Sequence, residues 1–368
     1  MAPLLALFYF FYFAIIAVHI IFMPKILSEV GYAPSEIGII FAAAPLIRFI
    51  IPFAFIKGVQ FNRKIFNYAL ALLSFSAIAF YPSLEHFYAL LFANIGLGIG
   101  LSLILPFVEV IALTLIGKER YGKVRLYGSV GFILVSLVLV EFLSSPQTAV
   151  YYLIAMSLAT ALFGYIIAKH DPSKSSSSDE SNLDDFNILQ HWKLWGGLLL
   201  MQVSFGAFYN FFTIYETERG ISLDMTIYLW SFGVIVEIVM LYFQGPLLKR
   251  NLLHVLQFTT AFTAFRWFIL FMFPTDLTLL FASQAIHALS FALFHSAAIS
   301  YLFTLYPQKK LAQQFFFGIS YGLGGFVGAI GAGYIYELWP SQLFLVAAVI
   351  AFFSYALLKG ASQEINSQ

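Results

Sequence analysis

The sequence of 368 residues contains no cysteine, so disulfides, thiol catalysis and thiolate metal sites are all excluded. Charged residues are also scarce: they form 10% of the chain, whereas hydrophobic residues form 61%. Soluble domains contain roughly 25% charged and roughly 45–50% apolar residues. The composition therefore excludes an ordinary soluble protein and indicates an integral membrane protein.

Long apolar runs are abundant. A membrane-spanning helix needs about 20 mostly apolar residues. Twelve such runs occur, at about 4–24, 36–57, 65–82, 86–114, 125–144, 148–168, 192–215, 225–247, 252–273, 277–306, 312–337 and 341–359. The runs are continuous rather than alternating in polarity, which argues against a transmembrane β-barrel. We predict an all-α integral membrane protein with twelve transmembrane helices in two six-helix bundles.

A polar, serine-rich tract at residues 169–191 separates six predicted helices from six. Such a tract cannot bury apolar surface, and we predict a flexible cytoplasmic linker there. The N-terminal bundle is then 1–168 and the C-terminal bundle, with a short tail, is 192–368. The pattern Tyr-Gly-x-x-Gly-Phe occurs at 127–132 and again at 321–326, as expected of a duplicated transporter bundle, whose substrate site lies near the bilayer midplane.

The basic residues are distributed unevenly. Fifteen of the nineteen lysines and arginines fall in the loops after even-numbered predicted helices or beyond the last one, whereas the opposite side has only Lys25 and Arg219. Cytoplasmic loops carry the excess of basic residues in membrane proteins. Both termini and the linker are therefore predicted to be cytoplasmic.

Several ionisable residues lie inside the apolar runs, where a charge costs about 2.5–3.5 kcal/mol on insertion scales and needs a partner, water or a function. Glu141, Glu216 and Glu337 lie nearer helix ends and are expected to be ordinary interfacial residues. The embedded residues are His19, Arg48, Glu109, Arg125, Glu237, Arg266, His287 and His295.

Glu109 and Arg125 form a candidate functional ion pair, because buried pairs often stabilise no better than apolar replacements. A purely structural pair is the alternative. Glu237 has no basic residue within a turn of its own helix, so its partner must come from another helix, either Arg266 or a histidine of the tenth. A carboxyl in such surroundings suits a proton carrier.

Imidazole exchanges protons near neutral pH, so His287 and His295, eight residues apart, are further candidates for proton coupling. The sequence offers them no additional metal ligands, and no metal site or cofactor is predicted. His19 is either a hydrogen-bonded interior histidine or a functional one. Candidate aromatic and polar contacts for a ring-bearing substrate are Tyr12, Phe208, Tyr209, Asn210, Trp230 and Trp267.

The order of these residues resembles the major facilitator superfamily, in the branch of lactose permease, nucleoside–proton symporters and phenylpropionate permeases. The aromatic run at 9–14 is similar to the first helix of the phenylpropionate group. Four further segments resemble charged motifs of the branch, namely residues 122–132, 231–237, 264–266 and 286–291. The likeness covers nearly the whole chain.

The resemblance implies roles for individual residues. Arg125 would contact substrate, the aromatic Phe132 would follow it in the site, and Glu109 would be the acidic partner of the arginine. Glu237 would be the essential glutamate of the eighth helix. Ser290 stands where lactose permease has a proton-accepting carboxylate, so proton coupling would fall on Glu237, Glu109 or a histidine. The usual loop 2–3 signature also has an Asp before its basic residues, and this acid is missing here, which argues against the usual interdomain gating bridge.

We predict a secondary active transporter, not an enzyme, that works by alternating access and whose partners are a small-molecule substrate, protons and the lipid bilayer. Three embedded arginines against two carboxylates favour an anion, such as an aromatic carboxylate carried with protons. A sugar or nucleoside proton symporter, and an uncoupled facilitator or exporter, remain alternatives. The expected setting is the plasma membrane, the inner membrane of a bacterium, where the chain acts as a monomer without nucleic acid.

Overall fold

Twelve helices in the described part of the chain are long and apolar enough to cross a membrane. This computed structural model describes residues 1–56, 62–170 and 186–367, which contain no strand. The helices are α1 Ala2–Val30, α2 Pro34–Phe53, α3 Arg63–Ser83, α4 Phe87–Gly117, α5 Arg120–Phe142, α6 Pro146–Ala168, α7 Leu189–Glu218, α8 Leu223–Phe243, α9 Leu252–Met272, α10 Leu277–Leu305, α11 Leu311–Leu338 and α12 Pro340–Ser362. The predicted all-α membrane fold is confirmed.

The chain divides into two compact units, Met1–Ser178 and Asp179–Gln368. Most of the predicted linker falls at residues 171–185, which lie outside the described residues, as do residues 57–61 of loop 2–3. The last part of the predicted linker packs within the second unit: the Phe186 ring lies 4.7 Å from that of Tyr306.

The connection between α4 and α5 is shorter than the sequence suggested. The fifth helix was predicted to begin near residue 125, but α5 begins at Arg120. The break is at Gly117, whose φ of 74° and ψ of 164° leave the helical region. Glycine adopts positive φ without the steric cost of a Cβ, so it suits this turn.

Glycines set the close helix contacts in the first unit. A Cβ at Gly131 of α5 would collide with the carbonyl oxygen of Phe10 on α1, and a Cβ at Gly98 of α4 would lie 2.7 Å from the Cα of Ala44 on α2. Small residues let helix backbones approach in membranes, where lipid offers little hydrophobic drive for association. These glycines therefore hold α1 against α5 and α2 against α4.

The second unit repeats the same pairs. A Cβ at Gly206 of α7 would collide with the backbone of Gly328 on α11, and a Cβ at Gly233 of α8 would lie 3.2 Å from Oε1 of Gln284 on α10. Thus α7 packs on α11 as α1 packs on α5, and α8 on α10 as α2 on α4. The matching pairs support the duplication that the repeated Tyr-Gly-x-x-Gly-Phe pattern indicated.

Three spanning helices contain a π-helical segment: Val18–Phe22 in α1, Leu289–Leu293 in α10 and Phe317–Gly324 in α11. Such segments are frequent at functional sites, because the extra residue changes which side chains face inward. Each one here contains or adjoins a polar side chain, His19 in α1, His287 before the α10 segment and Tyr321 in α11. His19, His287 and Tyr321 thus lie in or beside irregular backbone.

Candidate transport site

In the first unit, the predicted pair of Arg125 and Glu109 is formed between α5 and α4. Arg125 Nε lies 3.7 Å from Glu109 Oε1, and the two side chains are 29% and 33% exposed. Tyr121, one turn before Arg125, donates its hydroxyl to the same carboxylate oxygen at 3.0 Å. The partial exposure of the pair leaves room for water or a ligand.

Aromatic rings of α1 hold the guanidinium of Arg125. Its Cζ lies 3.9 Å from the centroid of the Phe13 ring and 5.4 Å from that of Tyr9. A Cβ at Gly128 would lie 2.7 Å from the Phe13 ring, so glycine at that position keeps the ring in place. A planar cation stacked on aromatic faces is oriented to receive a planar carboxylate along its edge.

Tyr12 and Arg48 lie close to this pair. The Tyr12 hydroxyl donates to the Leu101 carbonyl on α4 at 2.8 Å, and the phenol interacts electrostatically with Arg48, Glu109 and Arg125. Phe132 is half-buried. It follows Arg125 by seven residues, about two helical turns, so both residues lie on one face of α5.

His19 is held in a separate hydrogen-bonded group. It is buried, with Nε2 2.6 Å from Asn94 Oδ1, and Asn94 Nδ2 donates to the Ile40 carbonyl. That second bond makes Oδ1 the acceptor, so His19 donates through Nε2. Seven residues separate His19 from Tyr12, or about 10 Å along α1, and the geometry favours an interior structural histidine.

In the second unit, Arg266 of α9 is 0% exposed. Its Nη1 lies 2.9 Å from His287 Nδ1, and its Nη2 donates to Gln284 Oε1 at 3.1 Å. Both partners lie on α10. A guanidinium has donors only, so His287 Nδ1 must accept, and the neutral imidazole then carries its proton on Nε2.

The Nε2 atom of His287 faces a carboxylate. It lies 3.8 Å from Glu237 Oε2 on α8, and the side chains of His287 and Glu237 are 7% and 19% exposed. The expectation that Glu237 finds its partner on another helix is met by His287. Three helices therefore contribute one polar chain, from Glu237 through His287 to Arg266.

Aromatic side chains enclose this polar chain. The Arg266 Cζ lies 4.4 Å from the ring centroids of both Phe208 and Trp267. The Trp230 ring lies 4.3 Å from Phe208, and its Nε1 donates to Thr213 Oγ1 at 3.1 Å. Tyr209 packs on Phe208, with ring centroids 5.7 Å apart, and interacts electrostatically with Arg266.

His295 is apart from the chain of Glu237. Its Nδ1 lies 2.8 Å from the Tyr321 hydroxyl on α11. The Phe291 ring separates the two histidines, stacking on His287 at 5.6 Å and on His295 at 6.4 Å. Across the described residues, no group of three or more His, Asp or Glu side chains is arranged to hold a metal ion.

Sequence reasoning missed several contacting residues. Gln284 precedes His287 by three residues on one face of α10, a spacing that could have identified it. Tyr121 and Phe13 carried no such signal, because their contacts depend on the turn at Gly117 and on the approach of α1 to α5.

The expectation for Glu216 was wrong: it is 0% exposed rather than interfacial.

Twelve spanning helices in two units with repeated helix pairs, and with a polar cluster embedded in each unit, define a membrane transporter of the major facilitator type. The chain belongs to the MFS_1 like family, whose model matches residues 3–346. It is accordingly a multi-pass membrane transporter for a small molecule, and not an enzyme.

Similar proteins agree with this assignment. A probable 3-phenylpropionic acid transporter of Escherichia coli (strain K12) is 27% identical over 360 residues, covering 94% of each chain. The crystal structure of the nucleoside transporter NupG has a TM-score of 0.80 at 15% identity, covering 98% of each chain. An auto-inhibited POT family peptide transporter has a TM-score of 0.76 at 9% identity, covering 100% of this chain and 97% of that one. The two structural likenesses concern the fold alone.

Proposed function

We propose that the protein is a proton-coupled symporter of a small aromatic carboxylate, working by alternating access. The observation that carries the proposal is the pair of embedded clusters: a partly exposed arginine on aromatic rings in one unit, and a buried carboxyl–imidazole–guanidinium chain in the other. The first suits an aromatic anion, and the second suits a proton.

Arg125 is the better substrate ligand of the two arginines considered. Arg266 is fully buried and uses Nη1 and Nη2 on His287 and Gln284, whereas Arg125 is 29% exposed. Guanidinium recognises carboxylate through two parallel N–H···O bonds. The Phe13 and Tyr9 rings beside it supply apolar faces for the ring of the substrate. The relative named for 3-phenylpropionic acid, an aromatic carboxylate, supports the same chemical class.

Glu237 is the proposed proton carrier. Its carboxyl ends the chain that runs through His287 Nε2 to Arg266, and it is the acidic member of that chain. A proton on Glu237 leaves Arg266 as the single charge of the cluster, whereas its loss creates an anion that the cluster can neutralise. The carboxyl can therefore take up and release a proton with its partners in place.

The test is uptake by purified protein in liposomes with an imposed pH gradient and labelled 3-phenylpropionate. Wild type should accumulate the label. Glu237→Gln should lose accumulation, because the amide cannot carry the proton, but should keep exchange of labelled for unlabelled substrate. Glu141→Gln, a matched change at an exposed position of α5, should behave as wild type.

Two outcomes contradict the proposal. Wild-type accumulation that persists after a protonophore collapses the pH gradient would remove proton coupling. Binding of nucleosides or sugars, with none of aromatic carboxylates, in a thermal-shift series would remove the substrate class, since a ligand of the folded state raises its apparent stability.

A further inference from the structure

Glu216, in the last turn of α7, has a carboxyl that nothing in the transport site uses. It is 0% exposed, and neither carboxylate oxygen has a hydrogen-bond partner among the described residues. The burial is particular to this residue and not to the helix end, because Glu218 is exposed and its Oε2 accepts a hydrogen bond from Tyr336 at 2.6 Å. A buried carboxyl without partners therefore lies beside a satisfied one.

The neighbouring cation, Arg219, makes its close contacts elsewhere than at the Glu216 carboxyl. Arg219 interacts with it electrostatically, but the Arg219 guanidinium lies 3.4 Å over the Tyr215 ring and donates from Nη1 to the Tyr215 carbonyl at 3.1 Å. It forms no hydrogen bond to the Glu216 carboxyl. The charge of an ionised Glu216 would thus remain without a direct partner.

Within the described ranges, the helix ends packed around this end of α7 supply no other positively charged side chain. At the same end, α8 carries Asp224 in its first turn and α11 carries Tyr336, whose hydroxyl is used by Glu218, together with Glu337. From α12, Phe344 packs on Tyr215 with ring centroids 4.7 Å apart, and α9 contributes the Leu270 carbonyl to the Tyr215 hydroxyl. Further ionisation here would add negative charge.

Desolvation makes the ionised form of an unpaired buried carboxyl unfavourable relative to its neutral form. Adding one proton to a carboxylate oxygen forms an O–H bond and removes the charge. A metal ion would also neutralise it, but the described residues contain no set of three carboxylate or imidazole ligands to hold one. The proton is the ligand that this environment fits.

We propose that Glu216 is a second proton-binding site, distinct from Glu237, and that its protonation holds the end of α7 in the packed state seen here. The inference deepens the coupling part of the proposed function, on which it rests. By thermodynamic linkage, a state that buries the carboxyl without a partner is favoured by its proton, and a state that hydrates it is favoured by proton release.

Packing connects the end of α7 to the polar chain of Glu237, His287 and Arg266, which we call the coupling chain. Thr213, one turn before Glu216, accepts the hydrogen bond from Trp230, whose ring packs on Phe208. The Phe208 ring in turn lies beneath the Arg266 guanidinium. A movement of the end of α7 therefore displaces side chains that contact the coupling chain directly.

The first measurement is infrared spectroscopy of the purified protein at neutral pH, in the C=O stretching region of protonated carboxyls. Wild type should show a band that is absent from Glu216→Gln and retained in Glu218→Gln, the matched change two residues away. A wild-type band that survives unchanged in Glu216→Gln would overturn the proposal.

The second measurement follows opening of the helix end. Because the chain has no cysteine, Thr213→Cys introduces a single thiol at a buried position one turn from Glu216. Its maleimide labelling, corrected for thiolate fraction with a free thiol, should rise with pH by up to about tenfold per pH unit, the limit for one linked proton. The rise should be absent when Glu216→Gln is added, because the amide imitates the protonated carboxyl.

Corrected labelling that is independent of pH in the Thr213→Cys protein overturns the proposal even if the Glu216→Gln double variant does not fold. Neither measurement requires substrate or a proton gradient. Loss of the Glu216 signals with intact proton-driven uptake would therefore reject this inference alone, whereas normal Glu216 signals without proton-driven uptake would reject the proposed function alone.

Discussion

At the scale of single residues, the two embedded arginines differ in what surrounds them. Arg125 has an acidic partner, Glu109, and remains partly exposed. Arg266 is fully buried, and its hydrogen-bond partners are a histidine and an amide. Both lie against aromatic rings, which stabilise a cation by about 0.5–2 kcal/mol depending on desolvation. This contrast supports the proposal that the accessible guanidinium of Arg125 binds substrate and that the enclosed guanidinium of Arg266 belongs to the proton-coupling chain.

Arg125→Lys tests whether the planar cation matters or only its charge. Lysine keeps the charge but loses the fork that binds a carboxylate through two bonds and the flat face that stacks on Phe13. Affinity for 3-phenylpropionate, measured by calorimetry in detergent, should fall about tenfold or more, since 1.4 kcal/mol corresponds to one factor of ten. Lys123→Ala, a change at an exposed neighbouring position, should leave this affinity unchanged. Equal affinity in Arg125→Lys would show that the guanidinium geometry is not used.

The sequence predicted the partner of a residue where the composition of its own helix was enough to exclude a local one. An acid isolated in an apolar helix must find its partner on another helix, and Glu237 finds His287. Burial at a helix end is not local: Glu216 and Glu218 are two residues apart, yet one is enclosed and the other exposed. Their difference arises from the packing of neighbouring helices, which single-residue reasoning does not contain.

At the scale of elements, apolar length predicted all twelve helices, because each must satisfy its backbone within the membrane. It did not predict that α5 begins at Arg120, since the basic residues there look like a loop by polarity. Nor did it predict the π-helical segments. These add a residue to a turn through tertiary packing, and the apolar sequence around Leu289–Leu293 carries no local signal for them.

Two glycines of α5 give a matched test of helix contact. Gly131→Ala places a methyl group against the Phe10 carbonyl of α1, and overpacking of this kind costs about 1–3 kcal/mol. A Cβ at Gly122 meets nothing within 4 Å. We expect Gly131→Ala to lower the melting temperature in detergent by several degrees, while Gly122→Ala leaves it unchanged or raises it through helix propensity. An equal effect of both changes would mean that the α1–α5 contact is not close.

At the scale of the whole molecule, the uneven distribution of basic residues predicts the topology, and the lack of cysteine makes that topology testable by thiol labelling. The loops predicted to be cytoplasmic carry most of the lysines and arginines, and the other side carries Lys25 and Arg219. The twelve spanning helices return the chain to the side where it began. The predicted orientation, with both termini in the cytoplasm, therefore follows from charge and from helix number together.

The two ends of α9 test that orientation in one helix. Arg250 precedes the helix and Thr275 follows it, and both residues are exposed. In the cysteine-free background, a maleimide that cannot cross the membrane should label Thr275→Cys in intact cells and should label Arg250→Cys only after the membrane is permeabilised. The reverse pattern would invert the topology, move the basic loops outside and place the end of α7 that carries Glu216 in the cytoplasm. The proton proposed for Glu216 would then exchange with the cell interior.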